Sequence, residues 1–270
     1  MREYRIVGKP VHRVDAGVKV TGEALFAGDI RLPNMLHAKI LRSPYPHAKI
    51  RRIDTSKAEA LPGVKAVVTG KDIGPIRFGF VDTPRYPADQ YPLAIDKVRY
   101  VGEEVAVVAA VDEITAIEAL KLIEVDYEPL PAVFDPEEAM QEGAPKIHDE
   151  IVPNTTCAWE DWGVAKVARP FKVERNICAT VSFSYGDIEE GFAQSDYIRE
   201  ARFVIPATSH AAMEPHVVVA SYDPASGKLD VWLSHMSLAV KQYWLSKTLG
   251  IPQSKIRIHG CYTGGSFGGK

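Results

Sequence analysis

The amino-acid sequence predicts a mixed helix and strand chain of the α+β class, and three observations carry that expectation. Arg99–Ala110 holds Val101, Val105, Val107 and Val108 together with Ala106, Ala109 and Ala110, the near-continuous apolar run of a strand buried on both faces. Asp112 can cap the helix that follows, in which Ile114, Ile117, Leu120 and Ile123 recur at helical spacing. Farther along, strand-like Val217–Tyr222 and Lys228–Leu233 flank the turn residues Asp223-Pro224-Ala225-Ser226-Gly227, which makes a hairpin.

The other elements follow in order. Leu36–Leu41 alternates as a half-buried strand does. Ser56–Ala60 reads as a short helix stopped by Leu61-Pro62-Gly63, and Val64–Thr69 as a compact strand. Val125-Asp126-Tyr127 is a strand closed by Pro129 and Pro131, so Arg99–Tyr127 reads as a βαβ-like unit. Asp135–Asn154, acidic and carrying Pro136, Gly143, Pro145 and Pro153, reads as a connector. Domains are therefore expected over 1–135 and 154–270, with 136–153 between them. In the second segment Gly186–Tyr197 reads as a short helix with Asp187 near its start, and Ile198–Pro206 as a strand. Met236–Leu249 is a helix ended by Gly250 and Pro252, and Lys255–His259 a strand that runs into Gly264-Gly265-Ser266-Phe267-Gly268-Gly269-Lys270.

Composition narrows the function classes. The chain has 270 residues, 46% hydrophobic and 25% charged, so it can bury a core. Lys plus Arg is 32 and Asp plus Glu 35, a net charge of -3, with no run of like charge that would bind nucleic acid or a membrane surface. No apolar stretch approaches the roughly 18 residues of a spanning helix, and Met1–Lys9 lacks the apolar core of a signal peptide. Cys157, Cys178 and Cys261 are far apart, which argues against a disulfide scaffold, a zinc site or an iron–sulfur site in this chain. The expectation is a soluble cytoplasmic protein with no nucleic-acid or membrane partner.

The glycine-rich loop is the sharpest feature. Its glycines free the backbone to adopt positive φ and leave N–H groups uncovered, which makes an anion-binding concavity. A frayed tail is the plain alternative, against which the preceding strand and the embedded Phe267 argue. Gly264 to Gly269-Lys270 also fits G-x-x-x-x-G-K, the opening of a phosphate-binding loop, whose Ser or Thr would stand past Lys270 and in which Phe267 would be unusual. G-x-G-x-x-G fits less well, because Thr263 stands where a glycine is needed.

The same loop resembles the GGxFGGK signature of the xanthine oxidase and aldehyde oxidase family of molybdenum hydroxylases, and the resemblance runs along the chain in order. Gly8-Lys9-Pro10-Val11-His12-Arg13-Val14-Asp15 with Lys19-Val20-Thr21-Gly22 resembles the family's opening. Asp29-Ile30, Arg42-Ser43-Pro44, His47-Ala48, Leu61-Pro62-Gly63-Val64, Val98-Arg99-Tyr100-Val101-Gly102-Glu103 and Val125-Asp126-Tyr127-Glu128-Pro129-Leu130-Pro131 continue it, as does His210-Ala211-Ala212-Met213-Glu214-Pro215.

The resemblance implies an α/β hammerhead domain up to about Asp135, followed by the first part of a mixed α/β molybdopterin-binding domain. It implies a molybdenum–molybdopterin cofactor in a dinucleotide form, shared with a polypeptide that carries the rest of the pterin region. It also implies 2Fe–2S clusters and FAD on partner subunits. The chemistry would be oxidation of a small molecule, an aldehyde, purine, N-heterocycle or aromatic thioester. Gly265, Ser266, Phe267 and Gly268 would bind the cofactor, with Phe267 or Gly268 donating a backbone N–H to an anionic ligand of the metal. No catalytic side chain and no protein ligand to the metal is assigned. The resemblance also implies that the family's general-base glutamate lies beyond Lys270, so that this chain holds part of a site.

Ser234-His235-Met236 stands where the family has a Ser-Thr-Gln pattern. Methionine cannot donate a hydrogen bond, so the enzyme does without that contact, or His235 supplies it, or the site is altered. A non-catalytic structural subunit of a related complex is the alternative. Glu214 between His210 and His216 reads as a hydrogen-bonded turn in preference to a metal site. Glu103-Glu104 reads as a solvated turn, Cys261 as an apolar filler, and Trp159, Trp162, Trp232 and Trp244 as core residues.

Overall fold

The computed structural model describes residues 4–79, 88–150, 174–177 and 185–270. The chain forms two compact units, Asn34–Val204, and Met1–Pro33 with Ile205–Lys270. This spatial grouping cuts across the expected 1–135 segment, because the N-terminal residues pack with the C-terminal ones. Trp159, Trp162, Cys157 and Cys178 lie outside the described residues.

In the Asn34–Val204 unit, strands β1 (His37–Arg42), β5 (Glu104–Ala110) and β3 (Val64–Thr69) form one antiparallel sheet with β5 in the centre. Strands β4 (Lys97–Val98), β2 (Ala48–Asp54) and β6 (Glu124–Pro129) form a second. The apolar run of β5 is explained by burial on both faces. Ala106 and Val108 pack with Ala58, Ala119 and Ile123, and Val105 packs with Ala48, Ala94 and Val98. Ile53 and Val125 touch both clusters.

The helix Glu113–Leu122 starts as expected, with the Asp112 carboxylate accepting from the Thr115 amide at 2.8 Å. Its inward face is the expected one only in part, since Leu120 and Ile123 pack into the core and Ile114 and Ile117 do not. Ala116 and Ala119 are fully buried, whereas Ile114 is 71% and Ile117 40% exposed. The alanines lie directly against the sheet, Leu120, Leu122 and Ile123 pack against the same core at the helix's C-terminal end, and only Ile114 and Ile117 are turned outward. The βαβ-like reading of Arg99–Tyr127 is also corrected. β5 and β6 belong to different sheets, so this helix joins two sheets instead of crossing one.

In the other unit, β7 (Val218–Asp223) and β8 (Lys228–Leu233) make the expected hairpin. The Asp223 carboxylate accepts from the Ala225 amide, and Gly227 takes φ 67. The helix Leu238–Leu249 follows and ends on Gly250 in the left-handed conformation. β9 (Ile256–Gly260) then pairs parallel to β8, so strand, helix and parallel strand occur here, over 228–260. Leu229, Val231 and Ile256 form the core under Leu245 and Ile251. The expected strand over Ile198–Pro206 is not formed. That segment pairs with no strand among the described residues, and Phe203, Val204 and Ile205 are exposed. No helix of the described residues is long and apolar enough to cross a membrane.

Candidate functional site

β9 delivers the glycine-rich loop from a fixed position. The Cys261 amide donates to the Leu233 carbonyl at 3.0 Å, extending the parallel pairing by one residue. The Tyr262 amide donates to the Leu25 carbonyl at 3.2 Å, and the Tyr262 and Phe26 rings lie 6.3 Å apart. The loop then reverses. Gly265 has φ 108, Phe267 φ 49 and Gly268 φ 87. A left-handed phenylalanine costs about 1–2 kcal/mol, and the Phe267 ring, 74% exposed, regains little of it by burial.

The loop's internal hydrogen bonds are few. The Gly269 amide donates to the Ser266 carbonyl at 2.7 Å, and Ser266 Oγ to the Lys270 carbonyl at 2.7 Å. The amides of Gly265, Ser266, Phe267 and Gly268 have no acceptor among the described residues. Four successive uncommitted N–H groups on a reversing backbone are the donors that an anion-binding concavity requires. Close packing excludes a side chain at Gly264 and crowds one at Gly265, where φ 108 also favours glycine. A Cβ on Gly264 would lie 2.7 Å from Glu214 Cβ, and one on Gly265 3.2 Å from Ala212 Cβ.

Glu214 anchors both ends of this loop. Its Oε2 accepts from the Gly264 amide at 2.8 Å and from Lys270 Nζ at 2.7 Å. Its Oε1 accepts from Ser234 Oγ at 2.7 Å. Its main chain takes part as well. The Glu214 amide donates to the Gly264 carbonyl at 3.1 Å, and Lys270 Nζ donates to the Glu214 carbonyl at 2.7 Å. The Lys270 side chain is 3% and that of Glu214 10% exposed. Burial works to raise the Glu214 carboxyl, but the Lys270 ammonium, the Gly264 amide and the Ser234 hydroxyl bring it below the usual carboxylate range.

This arrangement decides among the readings of the sequence. Glu214 sits in a hydrogen-bonded turn, as its context indicated, and its partner Lys270 was not foreseen. Both residues stand in segments that carry the family resemblance, which was the available signal. The phosphate-loop reading is set aside, because Lys270 Nζ is spent on Glu214 and turned inward. No group of three His, Cys, Asp or Glu that could hold a metal ion occurs among the described residues.

The neighbouring candidates resolve similarly. His235 Nδ1 accepts from the Ser237 amide at 2.9 Å, and burial with nearby Lys241 and His216 lowers its pKa. A neutral His235 therefore keeps its proton on Nε2 as a donor. Met236 is 72% exposed. Burial raises the Cys261 thiol, with the Glu214 and Asp29 charges adding to it, which suits a filler and not a nucleophile. Trp232 stacks on His259 at 4.6 Å. Glu103 is a correction, because it is buried instead of solvated, accepts from the Arg99 amide, and has its pKa raised by that burial. A cavity of about 670 Å³ lined by His47, Lys49, Arg51 and Lys97 belongs to the Asn34–Val204 unit and contains none of the loop residues.

Comparisons with known proteins agree with this picture. Residues 21–131 match the family model "Aldehyde oxidase and xanthine dehydrogenase, a/b hammerhead domain", and residues 170–270 match "Molybdopterin cofactor-binding domain". The chain is 38% identical over 267 residues to a probable xanthine dehydrogenase component of Bacillus subtilis (strain 168), covering 98% of this chain and 32% of that protein. It is 35% identical over 270 residues to the nicotinate dehydrogenase large molybdopterin subunit of Eubacterium barkeri, covering 100% of this chain and 56% of that one. Among solved structures, CO dehydrogenase from Oligotropha carboxidovorans superposes with a TM-score of 0.77 at 32% identity, over 97% of this chain and 32% of that chain. Quinoline 2-oxidoreductase from Pseudomonas putida 86 gives 0.76 at 30% identity, over 97% and 31%. The chain thus spans between about a third and just over half of the length of these relatives. The two domain matches and the likeness along nearly the whole chain identify it as a member of the xanthine oxidase and aldehyde oxidase family of molybdenum hydroxylases.

Proposed function

We propose that this chain forms one wall of the molybdopterin site of a molybdenum hydroxylase-type oxidoreductase, and that Gly265, Ser266, Phe267 and Gly268 contact the cofactor through their backbone amides. The observation that carries the reading is the row of four N–H groups with no acceptor among the described residues, on a loop whose Gly264 leaves no room for a Cβ and whose Gly265 leaves little. The fit to an anionic, oxygen-rich group is good: the donors are in place, and the only loop cation, Lys270, is neutralised by Glu214.

When bound, the cofactor supplies the two-electron oxidation of a small substrate, with water as the oxygen source in a hydroxylation. The chain's own residues bind and orient. The Phe267 and Gly268 amides would donate toward negative charge on the metal's ligands. Substrates in this reading are an aldehyde, purine, N-heterocycle or aromatic thioester. The partners are the polypeptide region that completes the pterin site, an iron–sulfur subunit and a flavin subunit in the cytoplasm, with the pterin in a dinucleotide form. Residues 1–135 are assigned to the hammerhead domain, 136–153 to a connector and 154–270 to the start of the cofactor domain, in keeping with the matches over 21–131 and 170–270.

Two alanine substitutions test this reading. Gly268 and Gly74 have φ 87 and 85, and a Cβ on either meets nothing within 4 Å. Gly268→Ala and Gly74→Ala therefore each place a Cβ at positive φ without a steric clash, at a backbone cost of about 1 kcal/mol or more, in different places. In the native assembly, Gly268→Ala is expected to lower the molybdenum content and Gly74→Ala to leave it unchanged. Full molybdenum and full turnover in Gly268→Ala would favour the non-catalytic subunit instead.

A further inference from the structure

We propose that Glu214 is a positioning residue: by binding Gly264 and Lys270 together it sets the backbone of the intervening loop and so aims the Gly265–Gly268 amides. The proposal rests on the reading above that these amides face the cofactor.

Three features point to it. First, one carboxylate gathers donors from three separate stretches of chain, Ser234 just past β8, Gly264 at the start of the loop and Lys270 at its end. The two loop donors bracket the free amides, so the span between them is closed into a fixed arc. Second, the arc holds a strained residue. Phe267 at φ 49 relaxes to negative φ unless its neighbours prevent it, and the Gly269–Ser266 and Ser266–Lys270 hydrogen bonds alone do not tie the arc to the rest of the fold. The link to the fold runs through Glu214. Third, a buried ion pair is an inefficient source of stability, since desolvation offsets most of its attraction. Its use here is geometric. The carboxylate accepts from an amide, a hydroxyl and an ammonium at 2.7 to 2.8 Å, an arrangement no apolar residue reproduces.

The amides that Glu214 positions are those for which no partner exists among the described residues. Loss of the carboxylate removes the side-chain tie at both ends of the arc, leaving only the main-chain bonds of Glu214 to Gly264 and Lys270 there, and leaves the β7–β8–β9 sheet with its Leu229, Val231 and Ile256 core untouched.

The test uses the native assembly and its molybdenum-depleted form, read by hydrogen exchange of the 261–270 segment and by the electron paramagnetic resonance line shape of the partly reduced molybdenum. In Glu214→Gln, exchange at the Gly264 and Gly269 amides is expected to rise about tenfold or more in both forms, as for loss of a hydrogen bond with local opening. The line shape is expected to change, and Lys270→Arg, which keeps the charge, to retain wild-type behaviour on both readouts. Wild-type exchange and an unaltered line shape in Glu214→Gln would overturn the positioning role. A wild-type assembly without molybdenum, or one whose loop exchange ignores molybdenum removal, would instead overturn the cofactor reading itself. Should Glu214→Gln fail to accumulate, Ser234→Ala removes the hydroxyl that this carboxylate shares with the Tyr262 carbonyl. A few-fold rise in Gly264 exchange is then expected, and no rise would count against the proposal.

Discussion

Lys270 Nζ lies 2.7 Å from Glu214 Oε2 and 2.7 Å from the Glu214 carbonyl oxygen, so the last residue of the GGSFGGK run is fastened to a residue 56 positions earlier in the chain. The cationic side chain that a phosphate loop would extend toward its ligand is here folded back as a structural tie. Removing only one member leaves the other buried and unpaired. Lys270→Met is therefore expected to destabilise its unit by about 3–5 kcal/mol, and Lys270→Met with Glu214→Gln to recover much of that loss. Thermal unfolding of the two variants decides it, and additive losses would contradict the pairing.

The same pair makes a pH prediction. The Glu214 carboxyl is held below the ordinary glutamate value of about 4.3 in the folded chain, so its contribution is present above that pH and is lost as the pH falls through the lower folded value. The stability gap between the wild type and Glu214→Gln should be constant near neutrality and close in acid. A gap that persists unchanged to pH values well below about 4 would contradict the charged role.

Phe267 separates the contribution of its ring from that of its amide. Phe267→Gly keeps the N–H and accepts φ 49 without strain, so molybdenum retention is expected with stability changed by no more than about 1 kcal/mol. Phe267→Pro removes the N–H and forces φ to about −65°, and should abolish retention. Metal analysis of the two purified assemblies gives the answer, and equal retention in both would mean that the amide is not a contact.

Asp112 serves as a control far from any cofactor chemistry in sequence. Its carboxylate caps the helix Glu113–Leu122 through the Thr115 amide, with a second bond from Thr115 Oγ1 at 3.0 Å. Asp112→Ala should cost about 0.5–2 kcal/mol of stability in the Asn34–Val204 unit and leave molybdenum content unaltered. Loss of molybdenum in this variant at a temperature where it remains folded would show that stability alone governs cofactor content.

What was legible in the sequence was local. The Asp112 cap, the Gly250 stop, the Asp223–Gly227 turn and strand Val64–Thr69 are each written within a few residues, and each stands where expected. What was not legible depends on partners distant in the chain. β5 and β6 are joined by one helix yet hydrogen-bond to different strands, and periodicity carries no information on that choice. Ile117 faces outward because two alanines allow a closer approach to the sheet than isoleucine does. Glu103 is buried because the chain turns back on it to donate the Arg99 amide. In the site, the glycines that give the loop its reversals were evident, as was the anion-binding character of the backbone. The Glu214–Lys270 tie was not, since neither residue's neighbours in sequence name the other.

The central claim is that this loop is a wall of a molybdenum site. The most direct measurement is to purify the native assembly without denaturation, identify its polypeptides, and determine molybdenum and iron per chain. The account predicts stoichiometric molybdenum with iron and with polypeptide carrying the remainder of the pterin-binding region. A native assembly free of molybdenum would contradict it.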